Sequence, residues 1–229
     1  SEINAELGLP KPTIHRLFKT LEDEGFLQRD IDGRSFAPGR RTRRMAANAM
    51  SALNVRTARR AIMTRLSEEI GETCNLAIPD RDEMVYLDRV ETKWPLRIQL
   101  PVGTRVPLHC TASGKAYLSS LRPSHLHRYL DAANLEQYTA KTLTAPDDIK
   151  AEVLRIRKRG LSTDNEEFMS GMTAIARPIL DDQHRLVATI SVHAPVQRIS
   201  LDKLLSYSAL LEEAASALAS LLQGTDAGD

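Results

Sequence analysis

The sequence predicts an α+β protein with a small basic N-terminal unit, a connecting helix, and a larger C-terminal domain whose central antiparallel sheet is flanked by helices. Three observations carry this. Residues 9–27 hold a helical pattern that runs into a hairpin signal, residues 41–70 contain neither Pro nor Gly, and strand patterns cluster at 74–100 and 161–193 with helical segments between them. Strands that follow one another without an intervening helix, at both ends of the larger domain, pair antiparallel. A chain of 229 residues is long enough for two modest domains.

In the N-terminal unit Ile14, Leu17, Phe18 and Leu21 fall at i, i+3, i+4 and i+7, the spacing that gives a helix one buried stripe. Pro12 suits its first turn, where a missing N–H is no loss, and Gly25 suits its stop. Lys11, Thr13, His15, Arg16, Lys19 and Thr20 occupy other positions of this helix, long donors with no acid before Glu22. A short helix over residues 1–7 and a turn at Gly8 precede it. Helix, tight turn and a second helix with polar, basic first turns is the layout of a helix-turn-helix DNA reader. Then come Phe26 to Arg29, Asp32-Gly33 and Arg34 to Phe36, two short runs around a pair that favours a type I′ turn. This is either a wing that sets Arg29 and Arg34 against a DNA backbone or a hairpin that only covers the helices.

Ala58, Ile62, Leu66 and Ile70 recur every four residues, so residues 41–70 form one or two helices. The arginines at 40, 41, 43 and 44 either touch phosphates or form a solvated face. Strands are predicted at Asn75–Ile78, Met84–Val90 and Leu96–Leu100, with turns at residues 79–82 and 94–95. Helices follow at Ala112–Ser120, Ser124–Asp131 and Asp147–Arg159, strands at Leu161–Glu166, Ala174–Leu180 and Arg185–His193, and a closing helix at Leu201–Leu222. Residues 224–229 read as a disordered tail.

The net charge of +1 hides an asymmetry: residues 1–60 hold 12 Lys or Arg against 7 Asp or Glu, and the rest hold 19 against 23. A basic end on a mildly acidic body suits a protein that touches nucleic acid with that end alone. So small an excess binds DNA weakly, which implies two or more copies acting together. Cys74 and Cys110 lie far apart and make neither a disulfide framework nor a zinc set. No apolar run approaches the ~18 residues of a membrane span and no signal peptide is visible, so a soluble, cytoplasmic protein is expected.

The run Leu9 to Gly25, the Gly33 hairpin and His109-Cys110-Thr111-Ala112-Ser113-Gly114-Lys115-Ala116 together resemble the IclR family of bacterial transcriptional regulators, over roughly residues 1–220. The resemblance implies a winged helix-turn-helix DNA-binding domain at 1–40, a linker helix at 41–58 and a GAF-like effector-binding domain at 59–223. It implies a further helix ahead of Ser1, and with no initiator Met the start is expected to be trimmed. It also implies a homodimer or dimer of dimers on a palindromic double-stranded operator, with DNA contacts from Lys11, Thr13, His15, Arg16, Lys19 and Arg34. The effector it implies is a small carboxylic acid, and no cofactor or metal is expected.

Three segments bear on that effector. Thr111 suits an N-cap for the helix at Ala112, whose free N–H groups at Ala112, Ser113 and Gly114 would receive a carboxylate; otherwise it is simply a capped helix end. A phosphate-binding loop would need Gly at 109 and Ser or Thr at 116, where His109 and Ala116 stand. In the strand at 185–193, Leu186, Ala188, Ile190 and Val192 share one face and Val187, Thr189, Ser191 and His193 the other. That polar face lines either solvent or a pocket. By matching positions, the resemblance places Ser191, His193, Asp164 and Ala174 against the effector, with Ile98, Val106 and Met172 as apolar walls. Relatives carry a small polar residue where His193 stands, and some carry Cys where Ala174 stands. A protonated His193 would add charge for an anion; its other reading is a satisfied imidazole.

Enzyme constellations are absent. His109 and Cys110 are neighbours in an extended run and point apart, and Ser113 lacks the G-x-S-x-G elbow. His125 and His127, two apart on a helix, diverge. The other class left open is a GAF-like sensor or enzyme whose helix-turn-helix serves only for dimerisation.

Overall fold

A computed structural model describes residues 8–29, 36–95 and 99–226, without side chains at 44, 46–54 and 222–226. The chain divides into two compact units, Ser1–Arg56 and Thr57–Asp229.

In the first unit Gly8 turns the chain with φ +61°, and α1 (Lys11–Asp23) starts behind Pro10, with Pro12 in its first turn. Gly25, at φ +75°, ends it. Strands β1 (Leu27–Arg29) and β2 (Phe36–Pro38) pair antiparallel, with Leu27 opposite Pro38 and Arg29 opposite Phe36. The hairpin is therefore real, while its tip, including Asp32, Gly33 and Arg34, lies outside the described residues, as does the helix predicted over 1–7. Gly39 is required where the hairpin closes on α1, because a Cβ there would strike the backbone of Gly25 and Leu27. The predicted stripe is less buried than its spacing implies. Ile14 and Phe18 are half-buried, but Leu17 and Leu21 remain 44% and 39% exposed, since among the described residues the hairpin covers only the Phe18 side, through a Phe18–Phe36 edge contact at 4.8 Å.

The stretch without Pro or Gly forms one helix, α2 (Arg40–Ile70). In the second unit a six-stranded, wholly antiparallel sheet has the order β5-β4-β3-β8-β7-β6. Its strands are β3 (Thr73–Asp80), β4 (Glu83–Val90), β5 (Arg105–Pro107), β6 (Ser162–Asn165), β7 (Met172–Leu180) and β8 (Leu186–Pro195). The β3–β4 turn is tighter than predicted, with Pro79 and Asp80 paired in the strand and Arg81 taking φ +60°. Of the strand expected at Leu96–Leu100, Gln99 and Leu100 are outside any strand and residues 96–98 lie outside the described residues; β4 pairs with β3 and β5.

Helices α3 (Ala112–Ser120), α4 (Pro123–Ala132) and α5 (Pro146–Arg159) match the predicted segments closely. In α5 the reason is plain: acids at 147 and 148 in the first turn, bases at 157–159 in the last, and Gly160 left-handed at φ +67°. The closing helix is two, α6 (Leu201–Leu205) and α7 (Ser208–Asp226), broken where Ser206 and Tyr207 form tight turns and the Ser206 hydroxyl bonds the Lys203 carbonyl. Helix α7 runs on to Asp226, so order persists past Gly224, and 227–229 are not described.

Strand alternation divides the core into two faces. Leu76, Ile175, Ile190 and Val192 pack against Met63, Leu66 and Ile70 of α2 and Leu204, Leu211 and Leu218 of α6 and α7. The other face carries Ala77, Met84, Tyr86 and Val106 against Leu118, Leu126, Ile149 and Val153 of α3 to α5. There α3 comes close to β7 because Ala112, Ala116, Ala174 and Ala176 are all small. Asp88 of β4 holds α2 to the sheet through Arg59 and Arg60, both at 2.8 Å.

Candidate functional site

On α1 the side chains of Lys11, His15, Arg16 and Lys19 are exposed and Thr13 is half-buried. None of the four exposed groups has an ion pair among the described residues, and two of the three acids at the end of α1 are engaged elsewhere. Glu22 pairs with Arg29 at 3.3 Å and Glu24 with Arg41 at 2.8 Å. Arg29 also lies over the Phe36 ring at 4.4 Å. The face bearing residues 11, 15, 16 and 19 thus stays cationic, as a phosphate-seeking surface requires. Two of the arginines behind the hairpin do internal work, Arg41 on Glu24 and Arg43 on the Pro38 carbonyl at 2.6 Å. Arg34, the remaining predicted contact, lies outside the described residues.

The second constellation is buried. Thr189, Ser191 and His193 lie along β8, which is central, and all three are nearly inaccessible. Register joins them to other polar groups: Ser191 is opposite Asn75 of β3, His193 is opposite Ala174 of β7, and Ala174 is opposite Asp164 of β6. Ala77 stands between Tyr86 and Thr189. The first turn of α3 covers this face. Among the described residues, six buried polar atoms on this face have no hydrogen-bond partner: Asn75 Nδ2, Tyr86 Oη, Ser113 Oγ, Asp164 Oδ2, Thr189 Oγ1 and His193 Nδ1. Each buried polar atom left unpaired costs about 1–3 kcal/mol, so six gathered on one face make it the candidate site in this unit.

Thr111 caps α3 by accepting the Gly114 amide at 3.0 Å. That corrects the expectation of three free amides: Gly114 N–H is used, leaving those of Ala112 and Ser113 unbonded among the described residues. Gly114 has a structural duty, since a Cβ there would strike the Leu108 backbone. Asp164 accepts the Glu167 amide through Oδ1 at 2.7 Å and turns its other oxygen to the face. Burial is the main reason its carboxyl is raised from 3.8 to about 7, with Glu167 pushing the same way and the Glu167 amide and Lys115 opposing. Lys115, buried, pairs with Glu167.

His193 corrects a second expectation. Burial, helped by the charge of Arg89, lowers it from 6.5 to about 3, so it is neutral at physiological pH and offers no positive charge. Its Nε2 lies 3.0 Å from Ser191 Oγ, so the Ser191 hydroxyl is engaged, and Tyr86 meets the ring edge-on at 6.0 Å. Of the expected apolar walls, Val106 and Met172 are fully buried with Ala174, whereas Ile98 lies outside the described residues. Thr189, which strand alternation set on the polar face, completes it with Asn75 and Tyr86, which sequence reasoning did not assign. Their signal was register, which pairs strands more than a hundred residues apart.

Both halves of the chain match family models: one described as bacterial transcriptional regulator IclR C-terminal over residues 47–220, and one described as IclR helix-turn-helix domain over residues 1–30. SauR, a probable transcriptional regulator of Cupriavidus necator, is 40% identical over 201 residues, 88% of this chain and 80% of SauR. The transcriptional repressor IclR of Escherichia coli is 31% identical over 217 residues, 94% of this chain and 79% of the repressor. The solved structure of Thermotoga maritima IclR is 30% identical with a TM-score of 0.69, covering 96% of this chain and 88% of that one. The relatives are named as transcriptional regulators, which favours a regulator over the enzyme or sensor class that the sequence left open.

Proposed function

This chain belongs to the IclR family of transcriptional regulators, and from that premise we propose that a small organic acid, held between α3 and the sheet, controls its grip on a palindromic DNA operator. The observation that carries the proposal is the enclosed face itself, where unpartnered polar atoms meet the N-terminus of α3. The amides of Ala112 and Ser113 and the Ser113 hydroxyl receive the carboxylate, favoured by the helix dipole by ~0.3–2 kcal/mol. Asp164 keeps a proton beside that anion more readily than an ordinary carboxyl, and bonds a hydroxyl or hydrated carbonyl of the same ligand. Met172, Ala174 and Val106 form the apolar wall. Ser191 reaches the ligand by leaving His193, and His193 contributes as a neutral imidazole.

Operator contact falls to Lys11, Thr13, His15, Arg16 and Lys19, with Arg34 on the hairpin. Because the basic surplus of one chain is small, the active unit is a homodimer or a dimer of dimers, each copy taking one half-site. The acid acts by binding one arrangement of the paired DNA-reading helices more tightly than the other.

Calorimetry on the full chain with a panel of small carboxylic acids, followed by operator binding with and without the acid that binds, is the test. Asp164→Ala is expected to lose the response to the acid and keep operator affinity. If every ligand that binds is uncharged, or if Ser113→Pro binds acids as well as the parent, the anion site is wrong.

A further inference from the structure

The enclosed face has two ends, and the carboxylate assigned above occupies only one. At that end lie Asp164 Oδ2, Ser113 Oγ and the first amides of α3. At the other, Asn75 Nδ2, Tyr86 Oη and Thr189 Oγ1 are also without partners, on residues 0–1% exposed. Register sets these three on one face around Ala77, which lies between Tyr86 and Thr189 across the sheet, with Asn75 two residues before Ala77 on β3. Between the ends, β7 contributes only Ala174 and Ala176, and β8 contributes the mutually bonded Ser191 and His193. Asp164 on β6 and Asn75 on β3 are three strand spacings apart, roughly 14 Å between backbones.

The far end is built to donate. Arg89 Nη1 holds Asn75 Oδ1 at 2.9 Å and the Leu100 carbonyl at 3.1 Å. With its oxygen taken, the Asn75 amide presents Nδ2, which has only hydrogens to offer. The hydroxyls of Tyr86 and Thr189 belong to the same face of the sheet.

We infer that Asn75, Tyr86 and Thr189 form a second recognition pole, which takes an acceptor oxygen at the end of the effector remote from its carboxylate. The effector is then a two-ended small acid, either a dicarboxylate or an acid with a distal hydroxyl or carbonyl. The inference rests on the acid reading above, and it separates from it in the test.

The experiment is calorimetry on the full chain with matched pairs: straight-chain acids from propionate to hexanoate, each against its ω-hydroxy and ω-carboxy counterpart, and benzoate against 4-hydroxybenzoate. A parallel panel sets the uncharged alcohols against their diols. At least one member with a distal oxygen is expected to bind roughly tenfold tighter than its plain partner, the worth of one buried hydrogen bond. Tyr86→Phe and Thr189→Val each remove a hydroxyl and keep the shape, so both fold, and each should shrink that ratio to about twofold or less. If acids bind with no preference for a distal oxygen, or if the preference survives both substitutions, the second pole is wrong and the acid site stands. If only diols show the preference, the pole stands and the acid reading falls. If nothing in either panel binds, both fall.

Discussion

Asp164 has no exposed surface, one oxygen on the Glu167 amide and the other facing unpaired polar atoms. Its folded value of about 7 exceeds the ordinary 3.8, so between those limits the folded protein holds a proton that the unfolded chain releases. Stability from this group is therefore fully present below about pH 4 and lost as pH rises through about 7. Asp164→Asn keeps the acceptor for Glu167 and cannot ionise. In thermal melts it should exceed the parent at pH 8 and match it near pH 4; equal melting at both would contradict the assignment. Anion affinity should also fall as pH rises through about 7, because Asp164 gains charge beside the ligand. His193, at about 3, has no part in that window, so His193→Asn should leave the shape of the profile unchanged. Tyr86 offers a simpler check. Its hydroxyl is buried without a partner, so Tyr86→Phe should raise the stability of the ligand-free protein by roughly 1–3 kcal/mol, read from urea midpoints.

At the scale of elements, α3 serves two purposes with one sequence. Ala112, Gly114 and Ala116 are small because the helix lies close to β7 and to the Leu108 backbone, and Thr111 then caps the end of the helix. Gly114→Ala should cost roughly 1–3 kcal/mol by overpacking, with loss of acid binding as α3 shifts. A melting curve identical to the parent would show that the approach is looser than described. Helix α1 is argued in the same way. Arg16 is exposed, unpaired among the described residues, and on the cationic face. Arg16→Ala should weaken specific operator binding by ~1–3 kcal/mol if it reads a base, and by less if it holds a phosphate. Gel-shift titrations in which both Arg16→Ala and Lys19→Ala keep full affinity would mean that another surface meets DNA.

For the whole molecule, the decisive quantity is charge against the work required of it. A surplus of 12 bases over 7 acids in residues 1–60 is modest for a specific DNA binder, so paired half-sites must share the load. Sedimentation at micromolar concentration should show at least a dimer, and operator affinity should fall steeply with salt. A monomer that binds operator specifically would overturn the assembly.

The sequence by itself determined the order and type of nearly all the elements, because helical and strand periodicities, Pro12 and Gly25 act over a few residues. It also located α3 and the strand at 185–193, and with them Ser113, Thr189, Ser191 and His193, whereas Asp164 on β6 is placed by the family resemblance alone. Only the tertiary structure decided what surrounds these groups. Burial left His193 neutral and raised Asp164, both long-range effects of desolvation. The short strand β5 at 105–107 pairs with β4, and Leu17 and Leu21 stayed partly exposed, because periodicity names the apolar side of an element but not what packs on it. Asn75, Tyr86 and Thr189 met through sheet register, which pairs β3 with β8 across more than a hundred residues and leaves no trace in local spacing.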